Sequence, residues 1–449
     1  MTQALAVVLA AGKGTRMKSD LPKVLHSLAG APMLAHVLRS AASAGVSRSA
    51  LVIGPGMETV GEAGLTVAPG AQVYVQSEQM GTADAVKSAA AAYETADGPI
   101  LVLYGDTPLL RPETLKAVLG ELEAGADLVV IGFEAADPTG YGRLLFDDKS
   151  RLAGIREEKD ATSAERSLTL CNSGIMAFRS GKTLSGLIAR IGNDNAKGEY
   201  YLTDAVGLAY QDGLQTRVVL SPGDEVLGVN SRSELAVAEA LMQRRLRDTA
   251  MEHGASLAAP ETVFFSYDTV IGRDVYIEPN VIFEPGVTVE DGVTIKGFCH
   301  FEQARIGANV TIGPFARLRP GADLAPGAHV GNFVEIKTSH VAEGAKVNHL
   351  TYIGDATIGA KANIGAGTIT CNYDVFAKHR TVIGAGAFIG SNSSLVAPVK
   401  IGDGAYVGSG SVISKDVPDD ALALTRSKQE ERDGWASKAR QRRGRDESK

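Results

Sequence analysis

From Ile271 to Ile413 an aliphatic or large apolar residue returns at every sixth position. The series reads Ile271, Ile277, Phe283, Val289, Ile295, Phe301, then Ile306, Ile312, Leu318, Leu324, Val330, Ile336, then Val341, Val347, Ile353, then Ile358 and Ile364. After one interruption it resumes at Ile383, Ile389, Leu395, Ile401, Val407 and Ile413, and many members are followed by glycine, as at Ile306-Gly307 and Ile389-Gly390. A helix scatters every sixth residue over its faces, and a plain strand alternates with period two. A period of six predicts a parallel β-helix: each hexad is a short strand and a corner, the aliphatic side chain points inward, and glycine relieves the bend. Three hexads close a triangular coil, and coils stacked about 4.8 Å apart bury a core that no single coil could. The period slips to five at Phe301 to Ile306, Ile336 to Val341 and Ile353 to Ile358, which corners can absorb. The wider gap from Ile364 to Ile383 predicts a loop expelled from the coil, where function tends to sit.

The first half has a different rhythm. Apolar runs at Ala4 to Leu9, Ala50 to Ile53, Gln72 to Val75, Ile100 to Tyr104 and Leu128 to Phe133 predict buried strands. Helical patterns at Pro32 to Ala44, Thr82 to Tyr93 and Pro112 to Ala124 fall between them, so residues 1–228 read as a mainly parallel α/β sheet that binds ligands at the carboxyl ends of its strands. Asn230 to His253 reads as a connecting helix, with Ser231 and Glu234 at capping-box spacing and Gly254 as its stop. We therefore divide the chain into residues 1–228, a linker helix 229–253, the repeats 254–425 and a polar, Arg/Lys-rich tail 426–449 expected to be only partly ordered.

Composition narrows the class. At 449 residues and 44% hydrophobic, the chain can form two or three well-cored domains. A formal charge of −7, with no dense basic block before the tail, argues against a general nucleic-acid binder. Cys171, Cys299 and Cys371 form neither a CxxC pair nor an even framework, which points to a reducing cytoplasm. The apolar run Leu5 to Ala11 is too short to span a membrane and has no basic residue before it, so neither a membrane span nor a signal peptide is expected.

The first strand runs into Leu9-Ala10-Ala11-Gly12-Lys13-Gly14-Thr15-Arg16-Met17, followed by Leu21-Pro22-Lys23. Glycines let backbone N–H groups approach anionic oxygens, and Lys13, Arg16 and Lys23 add cationic donors. That is the composition of a phosphate site, although the spacing fits neither a Walker loop nor a dinucleotide fingerprint, and a turn with a solvated basic fringe would read the same. A second apolar strand ends in Tyr104-Gly105-Asp106, where a carboxylate could hold Mg²⁺ against a nucleotide or simply cap a turn. Together with QSEQMGT (Gln76 to Thr82), TGYGR (Thr139 to Arg143), Glu157 to Asp160, Asn172-Ser173-Gly174 and GEYYLTD (Gly198 to Asp204), these motifs resemble the sugar-nucleotidyltransferase family. The resemblance implies a Rossmann-like α/β nucleotidyltransferase domain. It puts the nucleotide on Ala10, Gly12, Gln76, Gly81 and Thr82, with Arg16 and Lys23 on its phosphates, and the sugar on Gly142, Glu157, Asn172 and Tyr201. It puts Mg²⁺ between Asp106 and Asn230. The implied reaction is attack of a sugar 1-phosphate on the α-phosphorus of UTP with loss of pyrophosphate, driven by positioning and charge neutralisation.

The repeats carry chemistry that a bland coil does not need. Arg319 follows inward Leu318, and Lys337 follows inward Ile336, so both occupy the second place of a hexad and can face one surface, where paired cations suit a phosphate. His349 lies two residues after inward Val347 and could serve as a base toward an attacking amine. An isolated histidine more often merely decorates a corner, and His300, His329, His340 and His379 are read that way. The segments ARLRPGA (Ala316 to Ala322), GNFVEIK (Gly331 to Lys337), HLTYIGD (His349 to Asp355), NIGAGTITCNYD (Asn363 to Asp374) and Ala423 to Arg426 resemble the hexapeptide-repeat acyltransferases, whose repeats form a left-handed parallel β-helix. With the first half, they resemble the bacterial bifunctional family that is both N-acetylglucosamine-1-phosphate uridylyltransferase and glucosamine-1-phosphate N-acetyltransferase. The match runs from about residue 3 to Arg426.

That resemblance implies His349 as general base, and Arg319, Lys337, Tyr352, Asn363 and Lys378 on glucosamine 1-phosphate. It implies acetyl-CoA along Ala366, Asn372, Tyr373, Ser391, Ser409 and Arg426, in a homotrimer whose acetyl sites lie between neighbouring β-helices. The product would be UDP-N-acetylglucosamine, a precursor of bacterial cell-wall and outer-membrane polymers, made from UTP and N-acetylglucosamine 1-phosphate without nucleic-acid or membrane partners. Three other readings compete: repeats that serve only assembly, a β-helix zinc enzyme of the γ-carbonic anhydrase kind needing three converging histidines, and a pure scaffold.

Overall fold

The computed structural model describes residues 3–446, and the chain divides into two compact units, up to Leu246 and from Arg247. In the first unit seven strands form one sheet in the order Thr216–Leu220, Leu128–Glu134, Leu170–Phe178, Ile100–Tyr104, Leu5–Leu9, Arg48–Ile53, Gln72–Val75. All neighbours are parallel except Leu170–Phe178, which runs against both flanking strands. A hairpin, Gly142–Phe146 with Leu152–Arg156, joins the sheet through Cys171 and Asn172. Leu5–Leu9 and most of Ile100–Tyr104 are buried, with apolar clusters on both faces, which is why their sequences are unbroken apolar runs rather than alternating ones.

The expected strands and helices are present with small shifts at their ends, but Gln72–Val75, expected to be buried, is a largely exposed strand because it forms the edge of the sheet. The run from Thr82 forms two helices, Thr82–Ser88 and Ala90–Tyr93, parted at Ala89. Glu58–Val67 is a helix the patterning did not suggest, because Gly61 and Gly64 occupy the face where apolar side chains would be expected. A Cβ on Gly64 would lie 2.2 Å from Leu51 Cδ1, so glycine lets this helix press on its strand. The long helix spans Arg232–Glu252 and has the expected box: Ser231 N–H donates to Glu234 Oε2 (2.9 Å) and Glu234 N–H to Ser231 Oγ (3.3 Å).

In the second unit the six-residue period becomes three parallel sheets of ten, eight and eight short strands. In chain order within a coil we call them faces one, two and three; Tyr276–Ile277, Ile282–Phe283 and Thr288–Val289 are successive examples. Every inward residue of the series is buried except Ile271, half-exposed on the first coil. Pairing on face one advances by 18 residues from Tyr276 to Thr294, but by 17 from Thr294 to Thr311, His329 to Lys346 and Lys346 to Asn363, so each slip to five shortens one coil. It then advances by 25 from Asn363 to Phe388, and the surplus forms a small loop closed by a bridge between Tyr373 and Lys378. The tail carries a helix, Trp435–Asp446, whose described side chains are exposed apart from half-buried Ala439.

Candidate active sites

In the first unit, Leu5–Leu9 and Ile100–Tyr104 end side by side and open onto a cavity of about 220 Å³. Ala10, Gly12, Lys23, Gln76, Gly81, Thr82, Tyr104 and Asp106 are among its lining. Gly14 adopts the left-handed region (φ 63°), and a Cβ there would fall 2.5 Å from Lys23 Cβ, so this glycine brings Lys23 over the loop. Gly81 (φ 120°) abuts the backbone of Tyr200 and begins the Thr82 helix, while Gln76 is buried and donates to Gly81 O (3.2 Å) and Asp84 Oδ2 (2.8 Å). Gln79, which the sequence reading passed over, donates to Ala11 O and ties the two cradle segments together. Arg16 is exposed and outside the cavity lining.

Asp106 and Asn230 come together because Val229 N–H donates to Asp106 O (2.9 Å). The Lys23 ammonium sits between them, ion-paired with Asp106 Oδ2 and donating to Asn230 Oδ1 (3.0 Å). Asn230 Nδ2 donates to Gly228 O (3.3 Å), leaving its carbonyl oxygen for the cation. An amide oxygen and a carboxylate oxygen that already hold the Lys23 ammonium form a donor set that would fit Mg²⁺.

The residues expected around a sugar lie beyond Tyr104. Asp106 and Glu157 both raise the Tyr104 pKa, after burial, and its ring packs 3.0 Å from where a Cβ on Gly174 would stand. Glu157 Oε1 accepts from Thr203 Oγ1 (3.0 Å) and lies 3.5 Å from a Cβ position on Gly142. Asn172 is buried, with Oδ1 accepting from Gly174 N–H (3.0 Å). Buried Arg143 anchors this side by donating to Leu168 O (3.0 Å) and Arg166 O (3.1 Å) and pairing with Glu158 (2.7 Å). Tyr201 is buried and its hydroxyl meets no partner among the described residues; burial first, then the charge of Asp160, pushes its pKa up to about 12. Tyr104, Thr203 and Arg143 stand inside motifs that the sequence reading quoted, yet only the fold shows what they touch.

In the β-helix, Asn332, His349, Ala366, Ser391 and Ser409 all fall two residues after an inward residue of face one: Val330, Val347, Ile364, Ile389 and Val407. They therefore stack as one column along the corner between faces one and two. Backbone bonds join successive levels: Leu350 N–H to Asn332 O, Gly367 N–H to His349 O, Asn392 N–H to Ala366 O and Gly410 N–H to Ser391 O, all between 2.7 and 3.1 Å. Arg426 Nη1 donates to Ser409 O (2.9 Å) at the far end. His349 is exposed, its Nδ1 lies 2.5 Å from Asn332 Oδ1, and Thr351 Oγ1 donates to its carbonyl (2.7 Å).

The cations gather at the other edge of face two. Lys337 pairs in register with Gly354, and its pKa is lowered first by the Lys378 ammonium beside it and then by Arg319. Arg319 Nη1 donates to Glu335 Oε1 (2.8 Å), which raises its pKa. Tyr352 lies along its strand with the hydroxyl over Gly354, where a Cβ would come within 2.4 Å of it. Lys378 arrives on the expelled loop. Asp374 Oδ1 accepts from Ala377 N–H (2.7 Å) and Phe376 N–H (2.9 Å), and its Oδ2 pairs with His379 Nε2 (2.7 Å); these bonds hold its pKa down to about 2. His379, read from sequence as a corner decoration, therefore closes this loop.

Within one chain the expected acetyl-transfer residues divide. His349, Ala366, Ser391, Ser409 and Arg426 share the first corner, whereas Arg319, Lys337, Tyr352, Lys378, Asn372 and Tyr373 share the second. Asn363 stands apart on face one, paired between Lys346 and Phe388. Exposed Phe298, Phe315 and Phe333 continue the first corner at its lower coils, stacked at 5.0 Å. Among the described residues no three His, Cys, Asp or Glu side chains gather as a metal centre would need, so the histidines form no zinc triad there.

The profile of the MobA-like NTP transferase domain matches residues 6–168, and that of the bacterial transferase hexapeptide matches residues 268–302 and 380–415. The gap between the two hexapeptide matches holds the shortened coils and the expelled loop. Curated relatives that the chain resembles carry the name bifunctional protein GlmU, three of them as follows. The one from Xanthobacter autotrophicus is 58% identical over 432 residues, 96% of each chain. Those from Azorhizobium caulinodans and Rhodospirillum rubrum are each 60% identical over 98% of both chains.

Proposed function

The chain belongs to the bifunctional GlmU family, and from that premise we propose that it makes UDP-N-acetylglucosamine by two transfers at two sites. In the first, the amine of glucosamine 1-phosphate attacks the thioester carbonyl of acetyl-CoA. His349 Nε2 takes the amine proton, the new N–C bond forms, the C–S bond breaks, and coenzyme A leaves as its thiol. Arg319 and Lys337 hold the phosphate and Tyr352, Asn363 and Lys378 contact the sugar, while the thioester lies along Ala366, Ser391, Ser409 and Arg426. Asn372 and Tyr373 would border this path from the expelled loop of a neighbouring copy.

In the second transfer, an N-acetylglucosamine 1-phosphate oxygen attacks the α-phosphorus of UTP, and pyrophosphate departs. The cradle of Ala10, Gly12, Gln76, Gly81 and Thr82 orients the nucleotide, with Arg16 and Lys23 on its phosphates. Gly142, Glu157, Asn172 and Tyr201 hold the sugar. Asp106 and Asn230 would hold Mg²⁺, which neutralises phosphate charge when bound. The observation that carries this site is the Lys23 ammonium held between Asp106 and Asn230 at the mouth of a glycine cradle.

We read the working unit as a homotrimer. The division of the acetyl-transfer residues between two corners supports this, since a neighbour could bring its second corner to the first. The exposed phenylalanine stack offers an apolar seam. We place the protein in the cytoplasm, a reading that the three free cysteines support. Among the described residues no helix is long and apolar enough to cross a membrane.

A mass-spectrometric product assay tests the two transfers together. The purified protein receives glucosamine 1-phosphate, acetyl-CoA, UTP and Mg²⁺, each omitted in turn. We expect UDP-N-acetylglucosamine only with all four, and N-acetylglucosamine 1-phosphate without UTP. Product formed only from supplied N-acetylglucosamine 1-phosphate would leave the β-helix a structural element.

A further inference from the structure

Asn332 lies one coil below His349, paired with it in strand register, and its side-chain oxygen is 2.5 Å from the imidazole Nδ1. An imidazole that is to take a proton at Nε2 must carry its own proton on Nδ1, and an acceptor facing Nδ1 selects that tautomer. The backbone around the pair leaves it little freedom. Gly331 sits so close to the coil above that a Cβ there would fall 1.7 Å from Asn348 O, which draws the two levels together. Phe333 and Leu350, next after each partner, both adopt left-handed backbone (φ 55° and 53°), so the two corners turn alike and the side chains leave in the same direction. His329, itself near Lys296, Lys346 and His349, is the other histidine of this region, and burial lowers its pKa first, so it does not supply a competing cation at neutral pH.

We propose that Asn332 is a positioning residue for acetyl transfer, which holds His349 in the Nδ1-protonated tautomer and aims Nε2 at the amine. The proposal rests on the reading of His349 as base. Asn332 touches no reacting atom: it accepts the Nδ1 hydrogen bond before, during and after the proton moves. As Nε2 takes the amine proton the ring becomes a cation, and the Asn332 oxygen then faces the positive end of a strengthened hydrogen bond. When the proton passes to the departing thiolate, the original tautomer is restored.

The test uses the full-length protein with Asn332→Ala, Asn332→Asp and His349→Ala, and follows both transfers in each. Uridylyl transfer reports that the chain is intact. Asn332→Ala should lower acetyl-transfer kcat by roughly 10- to 100-fold, the usual cost of losing an orienting partner, while KM for glucosamine 1-phosphate stays within about twofold because the cations are untouched. Asn332→Asp keeps an acceptor at Nδ1, so it should restore most of kcat. Its carboxylate favours the imidazolium, so the acidic limb of kcat/KM should move up by about one pH unit. An Asn332→Asp variant as slow as Asn332→Ala, or with an unmoved pH profile, overturns the proposal while His349→Ala is inactive. An active His349→Ala overturns the base reading itself, and the positioning role with it.

Discussion

His349 and Lys337 stand at opposite edges of the same face of the β-helix: His349 on the corner where that face begins, Lys337 on the corner where it ends. Lys337 is level with Gly354, five residues beyond His349, so their backbones stand at most about 16 Å apart at about 3.3 Å per residue. A base must lie within hydrogen-bond reach of its proton. A neighbouring copy that brought its second corner to this first corner would let one glucosamine phosphate meet both groups at short range, as the proposed trimer requires.

Mixed oligomers test this directly. His349→Ala and Lys337→Ala should each lack acetyl transfer alone, yet co-assembled chains should regain about a quarter of wild-type activity, the random share of sites that draw an intact residue from each of two copies. Activity that stays at the level of the separate variants would mean that one chain supplies both groups.

Asp106→Asn should lower uridylyl transfer by about 100-fold or more, since an amide would leave the proposed Mg²⁺, and Lys23 with it, without the carboxylate's negative charge. Acetyl transfer should be unchanged in the same preparation. Near-normal uridylyl transfer in saturating Mg²⁺ would remove Asp106 from the metal role.

Tyr201→Phe removes a buried hydroxyl that has no partner among the described residues. Thermal unfolding should shift little, because no internal hydrogen bond is lost. KM for N-acetylglucosamine 1-phosphate should rise about tenfold, the worth of one hydrogen bond to a substrate. An unchanged KM would show that the hydroxyl does not meet the sugar.

Gly354→Ala would set a Cβ within 2.4 Å of the Tyr352 hydroxyl and 2.8 Å of Asn372 Nδ2. Both side chains must move, so acetyl transfer should fall about tenfold or more, mostly through KM for glucosamine 1-phosphate. Uridylyl transfer serves as the control, and equal losses in both activities would point to misfolding.

The expelled loop should hold its shape in mild acid. Asp374 has a pKa depressed to about 2 from an ordinary 3.8, so the charged form is favoured by the fold. Its contribution is complete above pH 3.8 and is lost as pH falls through about 2. Hydrogen exchange at Phe376 and Ala377 should stay slow at pH 4 in the wild type and become fast in Asp374→Asn. Fast exchange in both would show that Asp374 does not pin the loop.

The inward residues of the β-helix were legible because each coil repeats one steric demand: a buried aliphatic side chain at a fixed step, with the expelled loop marked by a break in that step. The column from Asn332 to Ser409 was harder to see. Its members are 17, 17, 25 and 18 residues apart, so only the coil register lines them up, and Asn332 has no local mark of its own. In the first unit, Gly12, Lys23 and Asp106 follow apolar strands and stand out. The antiparallel strand Leu170–Phe178 and the hairpin before it did not, because glycines and polar residues such as Gly142, Arg143 and Asn172 interrupt their patterns where the site is built. The helix Glu58–Val67 was hidden by the glycines that let it approach its sheet.

If the thioester lies along the first corner as proposed, the column would also work as a ruler. Ala366, Ser391 and Ser409 are rungs set by coil spacing, about 4.8 Å each, and Arg426 marks the top. An extended thioester laid against them would be measured from its reactive end, at His349, to its far end. Removing one whole coil between Ile389 and Val407 would leave a sound core, since neighbouring coils present like surfaces. The molecule measured would then be one rung too long. On this reading the choice of acyl carrier is written in the number of coils above the base, and a change in carrier length could be met by adding or deleting a turn without touching the chemistry.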